Sequence, residues 1–263
     1  PRILRFRRTE HDSVCQNTLM GGAVAKSFRV LEALSAAKGP VRLSTLADEL
    51  ELQKSTAHRV LAELIELGYV EQDQVTGLYQ PTLRTWEIGS AVVADLPIKQ
   101  AASRTLHDLH QQTGETVSLV VRAGDDALYL DKLVSPRPTR FSTRVGSRVP
   151  LPLTVGGLAI LAADDDGPEV IRRTASRPDL RSSFDVDATV RSLDTIRHAG
   201  YAKSSARHSV TGIAAAVLDR RQRPAGALVV SAPTDRMPSG QRTTTIELVV
   251  AAAARLGESL GRT

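Results

Sequence analysis

The sequence predicts an α/β protein in two parts: a small winged helix–turn–helix, then a connecting helix leading into a larger mixed α/β unit. Three observations carry this. Two short helical patterns joined by a tight turn precede a hairpin within residues 43–80. Pro81 and Pro97 bracket one more helical stretch. Beyond about residue 97, helices alternate with paired short strands and do not repeat as βαβ units. The expected boundaries are a basic tail over 1–22, the winged helix–turn–helix over 23–81, a linker helix over 82–96 and the larger unit over 97–263.

The elements follow in order. Residues 1–20 lack periodicity and read as a solvated tail, with a DNA-reaching arm as the alternative. Val24, Phe28, Leu31 and Leu34 recur at helical spacing over 23–37, and Gly39-Pro40 ends that helix. Ser44 is the expected N-cap of a short helix carrying Leu46, Ala47 and Leu50 on one face. A longer helix over 54–67 turns Ala57, Val60, Leu61 and Leu64 inward, and Gly68 closes it. Residues 70–80 alternate around a Thr76-Gly77 turn and read as a hairpin. Leu83, Trp86 and Val93 share one side of the next helix. A helix over 98–113 then leads through Gly114 to strands at 117–121 and 127–133. After a Pro- and Arg-rich loop (135–150) come helical stretches near 157–163, 168–175 and 187–199. Strands at 213–218 and 225–231 flank a turn, and the last helix spans about 239–261, with Ile246, Val249, Val250, Ala253, Leu256 and Leu260 on one face.

Composition narrows the class. The chain is 41% apolar and 24% charged, with no run of about 18 apolar residues to span a membrane. Arg2, Arg5, Arg7 and Arg8 are followed by no apolar segment, so a secretory signal is not expected there. A single cysteine, Cys15, excludes an intramolecular disulfide framework and a Cys-based zinc site and fits a reducing cytoplasm. The net charge of +5 invites a nucleic-acid reading, but its placement matters more. Residues 1–90 hold eleven basic and eleven acidic side chains, so the whole excess lies in 91–263. Arg137, Arg140, Arg144 and Arg148 crowd one loop there, a pointer to an anionic ligand or an acidic partner surface.

The second helix of the helix–turn–helix opens Lys54-Ser55-Thr56-Ala57-His58-Arg59. Lys54 and Arg59 suit phosphates or guanine edges, while Ser55, Thr56 and His58 add short-range donors and acceptors. The acids Glu63 and Glu66 follow only behind them. Front-loaded polarity of this kind is what a helix entering the major groove requires. Ala47 lets the two helices cross closely. Glu51 stands where the turn favours glycine in a left-handed conformation, so the turn is expected to deviate slightly.

Taken together, these phrases resemble the IclR family of bacterial transcription regulators. The likeness rests on residues 43–73 and 76–92, then on 113–138, 145–162, 196–205 and 212–233. It spans about 23–261. The resemblance implies that the larger unit is a GAF-like α/β effector-binding domain. It also implies a homodimer or homotetramer that binds a palindromic operator in double-stranded DNA as repressor or activator. Within it, the resemblance places an effector pocket at Thr154, Gly156, Gly157, Val210, Gly212, Val229 and Ser231. Small residues there leave room and expose backbone N–H groups that can hold a carboxylate. The chain departs from the family at Leu158, where lysine is common, and at Gly212, where cysteine is frequent. Lys203, Arg207 and His208 replace a usually acidic rim, which favours an anionic or larger apolar acid as effector.

No nucleophile elbow, zinc-protease helix, phosphate-binding loop or dinucleotide fingerprint occurs, so neither catalytic residues nor a cofactor is expected. Asp164-Asp165-Asp166 reads as a solvated helix boundary in preference to a cation site, and His107 and His110 as surface histidines in preference to metal ligands. A sensor acting through protein partners, or an enzyme on the α/β unit, are the competing readings.

Overall fold

A computed structural model describes residues 22–137, 143–180, 183–204 and 209–260. The expectations for the tail, Cys15, Arg140, Arg207 and His208 lie outside them. The chain divides between Ala94 and Asp95 into two compact units.

In the smaller unit, α1 (Ala23–Ala36), α2 (Leu43–Glu49) and α3 (Lys54–Glu66) enclose one core with the hairpin β1 (Val70–Gln72) and β2 (Tyr79–Pro81). Val30, Leu34, Leu46, Leu50, Val60, Leu61 and Leu64 meet there. The helical face of α1 differs from the expected one. Val30, Ala33 and Leu34 turn inward, while Val24 and Phe28 are 71% and 61% exposed. Ser44 is not an N-cap. Arg42 occupies that position without a side-chain cap, because Val41 is tied by backbone hydrogen bonds to Tyr79 and starts α2 early.

The turn between α2 and α3 keeps its standard form despite its glutamate. Glu51 has φ 54°, and Leu52 N–H donates to the Ala47 carbonyl at 2.9 Å. Buried Ala47 and Ala57 let the helices cross at close range. Arg29 Nη2 clamps the turn by donating to the Leu50 carbonyl. At the hairpin tip, Asp73 accepts from Val75 N–H, Thr76 N–H and Thr76 Oγ1, which holds its carboxyl below the usual range. Gly77 supplies the positive φ of the turn. Helix α4 (Leu83–Ala94) completes the unit and buries none of its side chains.

The larger unit is built on a six-stranded antiparallel sheet. Its strands are β3 (Thr116–Ala123), β4 (Asp126–Leu133), β5 (Arg148–Pro150), β6 (Ala202–Lys203), β7 (Val210–Leu218) and β8 (Pro224–Pro233), in the spatial order β5-β4-β3-β8-β7-β6. Helices α5 (Pro97–Thr113) and α9 (Ser239–Ser259) pack together and against the central strands. Helices α6 (Val155–Ala163), α7 (Gly167–Ala175) and α8 (Val186–Ala199) cover the face carrying Val120, Ala127, Ala214 and Val229. Both anticipated hairpins form, β3–β4 and β7–β8, but β3 pairs with β8 across a gap of more than a hundred residues. The short strands β5 and β6 have no apolar alternation long enough to announce them.

Two acidic features turn out to be structural. The aspartate run is the expected exposed boundary between two helices, and within it Asp164 and Asp166 both grip Arg122, at 2.7 and 2.6 Å. The hydrogen bond from Arg122 holds the Asp166 carboxyl below its ordinary range. Buried Glu115 takes a bidentate contact from Arg236 at 2.8 Å and a second guanidinium from Arg137.

Two substitutions test this description. Glu51→Gly relieves the left-handed strain and raises stability by about 0.5–1 kcal/mol, read from a chemical denaturation curve. Gly157→Ala drives a methyl into the Leu151 carbonyl and costs about 1–3 kcal/mol in the same measurement. Unchanged stability in either variant would contradict the corresponding geometry.

Candidate DNA-reading and effector sites

Helix α3 is anchored by its inner row and free along its outer one. Ala57, Val60, Leu61 and Leu64 are buried. Lys54, Ser55, His58 and Arg59 are exposed, and Thr56 is half-buried at the first turn. All five expected DNA-reading residues therefore lie in the first two turns of one helix. Gln53, at the N-cap, offers no side-chain cap. The front of α3 thus presents cations, hydroxyls and unbonded N–H groups together, a combination suited to phosphate oxygens and base edges. Gln53 is also exposed beside Lys54 and belongs with this face. As an uncharged residue before the helix, it left no signal in the charge pattern.

Directly behind α3 the chain is pinned to α4. Gly68 adopts φ 78° to end α3. Thr82 Oγ1 then donates to the Gly68 carbonyl at 2.6 Å, and Thr82 N–H to the Tyr69 carbonyl at 2.9 Å. The Arg84 guanidinium lies 5.2 Å from the centre of the Tyr69 ring. The base of α4 is consequently held to the end of α3.

In the larger unit the expected effector residues gather around the start of α6. Thr154 is its N-cap, with Oγ1 accepting from Gly157 N–H at 2.8 Å. Gly156 sits so near the sheet that a Cβ would lie 2.8 Å from Val229 Cγ2. Gly212 faces Val155 in the same way, and its register partner across the strands is Ser231. Val210 begins β7 at the end of this row. The seven residues are thus neighbours.

Their small size is used differently from the expectation. Gly156, Gly157 and Gly212 do not leave open room; they let helix, loop and sheet touch. The Gly157 N–H is taken by Thr154, and the Gly212 N–H by Ser204 Oγ at 2.8 Å. The N–H groups of Val155 and Gly156 make no hydrogen bond among the described residues.

The expected basic rim also changes. Lys203 pairs in register with Ile213, so it points to the face opposite Gly212 and Ala214. Of the arginine loop, Arg137 is held by Glu115, and Arg148 lies 3.9 Å from buried Asp126. Much of the positive excess therefore serves internal carboxylates. Two open grooves, of about 340 and 240 Å³, flank β7 at Ala216 and Leu218, and neither includes an expected effector residue. His110 Nδ1 contacts the Glu115 carbonyl at 2.7 Å, and His107 meets Gln111. No cluster of potential metal ligands occurs among the described residues, nor does any described helix have the length and apolarity to cross a membrane.

Comparison with known proteins agrees with this layout. Residues 23–74 match the IclR helix-turn-helix domain, and residues 90–257 the bacterial transcriptional regulator IclR C-terminal domain. The chain is 30% identical over 233 residues to the probable transcriptional regulator SauR of Cupriavidus necator, covering 83% of this chain and 89% of that one. It is 27% identical over 245 residues to the HTH-type transcriptional repressor AllR of Klebsiella pneumoniae, covering 91% and 90%. A crystal structure of an IclR homologue from Microbacterium hydrocarbonoxydans, complexed with 4-hydroxybenzoate, superposes with a TM-score of 0.76 at 25% identity, covering 92% of this chain and 100% of that one. With both domains matched in order over most of its length, the chain belongs to the IclR family of DNA-binding bacterial transcription regulators.

Proposed function

We propose that this regulator acts as a homodimer whose paired α3 helices read the two halves of a palindromic operator, and that a small-molecule effector in the larger unit adjusts that reading. The observation that carries it is the α3 face, where Lys54, Ser55, His58 and Arg59 stand exposed over a fully buried inner row.

The dimer reading draws on the apolar surface of the smaller unit. Val24 and Phe28 on α1, with Leu83, Trp86, Ile88 and Val92 on α4, are all more than half exposed. A twelve-residue helix with no buried side chain is marginal in water by itself. Packing α4 and α1 against a second copy covers this surface and sets two α3 helices one helical turn of DNA apart, about 34 Å. The region 82–96 is then a linker: it begins on the end of α3 and leads into the larger unit.

The effector reading draws on the cluster at Thr154, Gly156, Gly212, Val229 and Ser231, and on the related protein whose structure holds 4-hydroxybenzoate. A ligand that binds one arrangement of the larger unit more tightly shifts the population of linker positions. Relatives named as repressors favour repression. The competing sensor acting through protein partners has no distinctive surface of its own here.

Arg59→Ala is expected to weaken binding to an upstream palindrome and to reduce the slope of log affinity against log salt by about 1, measured by fluorescence anisotropy. Affinity and slope both unchanged, or a footprint with no protection at any upstream palindrome, would overturn the operator reading. Trp86→Glu is expected to shift the protein from dimer to monomer in sedimentation analysis and to lower operator affinity with it.

A further inference from the structure

The hairpin that follows α3 carries no cation. Residues 69–82 include Glu71 and Asp73 and not one Lys, Arg or His. Asp73 is exposed, and the Thr76 and Val75 donors hold its carboxyl below the usual range. Glu71 Oε1 accepts from the uncharged Gln80 Nε2 at 2.6 Å. The hairpin therefore brings two negative charges, which a phosphate backbone repels.

The cations beside it come from another segment. The exposed lysines and arginines of the smaller unit are Lys38, Arg42, Lys54, Arg59 and Arg84. Lys54 and Arg59 belong to the front of α3, and Arg84 lies over the Tyr69 ring. Lys38 and Arg42 remain, and neither side chain makes a hydrogen bond or ion pair among the described residues. Both lie in the connection between α1 and α2. Val41 N–H donates to the Tyr79 carbonyl at 2.8 Å, and Tyr79 N–H to the Val41 carbonyl at 2.9 Å. This bridge lays the connection beside β2, and Pro40 fixes its own φ within it. Arg42 follows the bridge directly, and Lys38 precedes it by three residues. The acids Asp48 and Glu49 stand at the far end of α2. When the second helix of a helix–turn–helix enters the major groove, the first crosses the sugar–phosphate backbone.

We infer that Lys38 and Arg42, in place of the hairpin, hold the phosphate backbone beside the groove that α3 reads. They position the protein on the duplex without reading its sequence. This rests on the reading that the front of α3 faces DNA, and it adds two residues outside the expected five.

The test follows the full chain binding two duplexes of equal length by fluorescence anisotropy over a salt series. One duplex carries the upstream palindrome, and the other carries its scrambled sequence. Lys38→Gln and Arg42→Gln are each expected to reduce the slope of log affinity against log salt by about 1. Each lowers affinity for both duplexes by the same factor, about three- to tenfold. Arg42→Lys keeps the slope, and Arg104→Gln, on α5 of the larger unit, changes neither quantity. Arg59→Ala instead narrows the ratio between the duplexes. A purely structural role would shift the chemical denaturation midpoint and spare the slope. If Arg42→Gln does not fold, Arg42→Met carries the same measurement. Affinity and slope both unchanged overturn the inference for that residue, while a loss in Arg59→Ala leaves the α3 reading intact. A changed ratio in Lys38→Gln or Arg42→Gln also overturns it, because phosphate contacts do not discriminate sequence. So does an equal loss of slope in Arg104→Gln. If the unmodified chain binds neither duplex, both readings fall.

Discussion

The larger unit depends on how closely one helix start can lie against its surroundings. Gly157 brings the α6 backbone onto the Leu151 carbonyl, Gly156 brings it onto Val120 and Val229, and Gly212 opens the facing strand to Val155. Three absent side chains at three contacts set the height of α6 above the sheet. Because Thr154 caps the same turn through Gly157 N–H, the helix start is fixed in orientation as well as height. Larger residues at these positions would lift α6 away from the sheet.

Charge is organised on the same principle of local pairing. An excess of +5 lying wholly in the larger unit points toward an anionic ligand or an acidic partner surface. In the fold, Arg122 is held by Asp164 and Asp166, Arg173 by Asp125, Arg177 by Asp126, and Arg137 and Arg236 by Glu115. These pairs tie loops to helices: Asp125 and Asp126, at the β3–β4 turn, reach Arg173 and Arg177 on and just beyond α7. Several are half-exposed, so their value lies in fixing geometry more than in raw stability. In the smaller unit, by contrast, Lys54 and Arg59 stand exposed at the front of α3.

A second economy joins reading to regulation. The residues that end α3 and begin α4 are bonded to each other through Thr82, Gly68, Tyr69 and Arg84. A displacement of α4 therefore moves the back end of α3 without an intervening flexible segment. The same short stretch carries the exposed Trp86 and Ile88, the surface that the proposed dimer would cover.

The sequence alone was sufficient for the elements whose signals are local. The inner row of α3, the Gly77 turn, the Gly114 terminator and the two long hairpins depend on periodicity and backbone preference within ten or twenty residues. So does the grouping of Lys54 through Arg59, because one helix turn places them together. Pairings between distant segments were not legible. The union of β3 with β8, the grip of Asp164 and Asp166 on Arg122, and the placing of Lys203 on the far face each depend on register across the sheet, where a shift of one residue reverses the face. Glu51 marks the boundary. Its identity argued against a left-handed turn, yet the packing of α2 on α3 is worth more than the strain of one residue. The amino-acid order determined which helix can meet DNA. Only the tertiary structure decided which glycines serve packing, because that depends on atoms far apart in the chain.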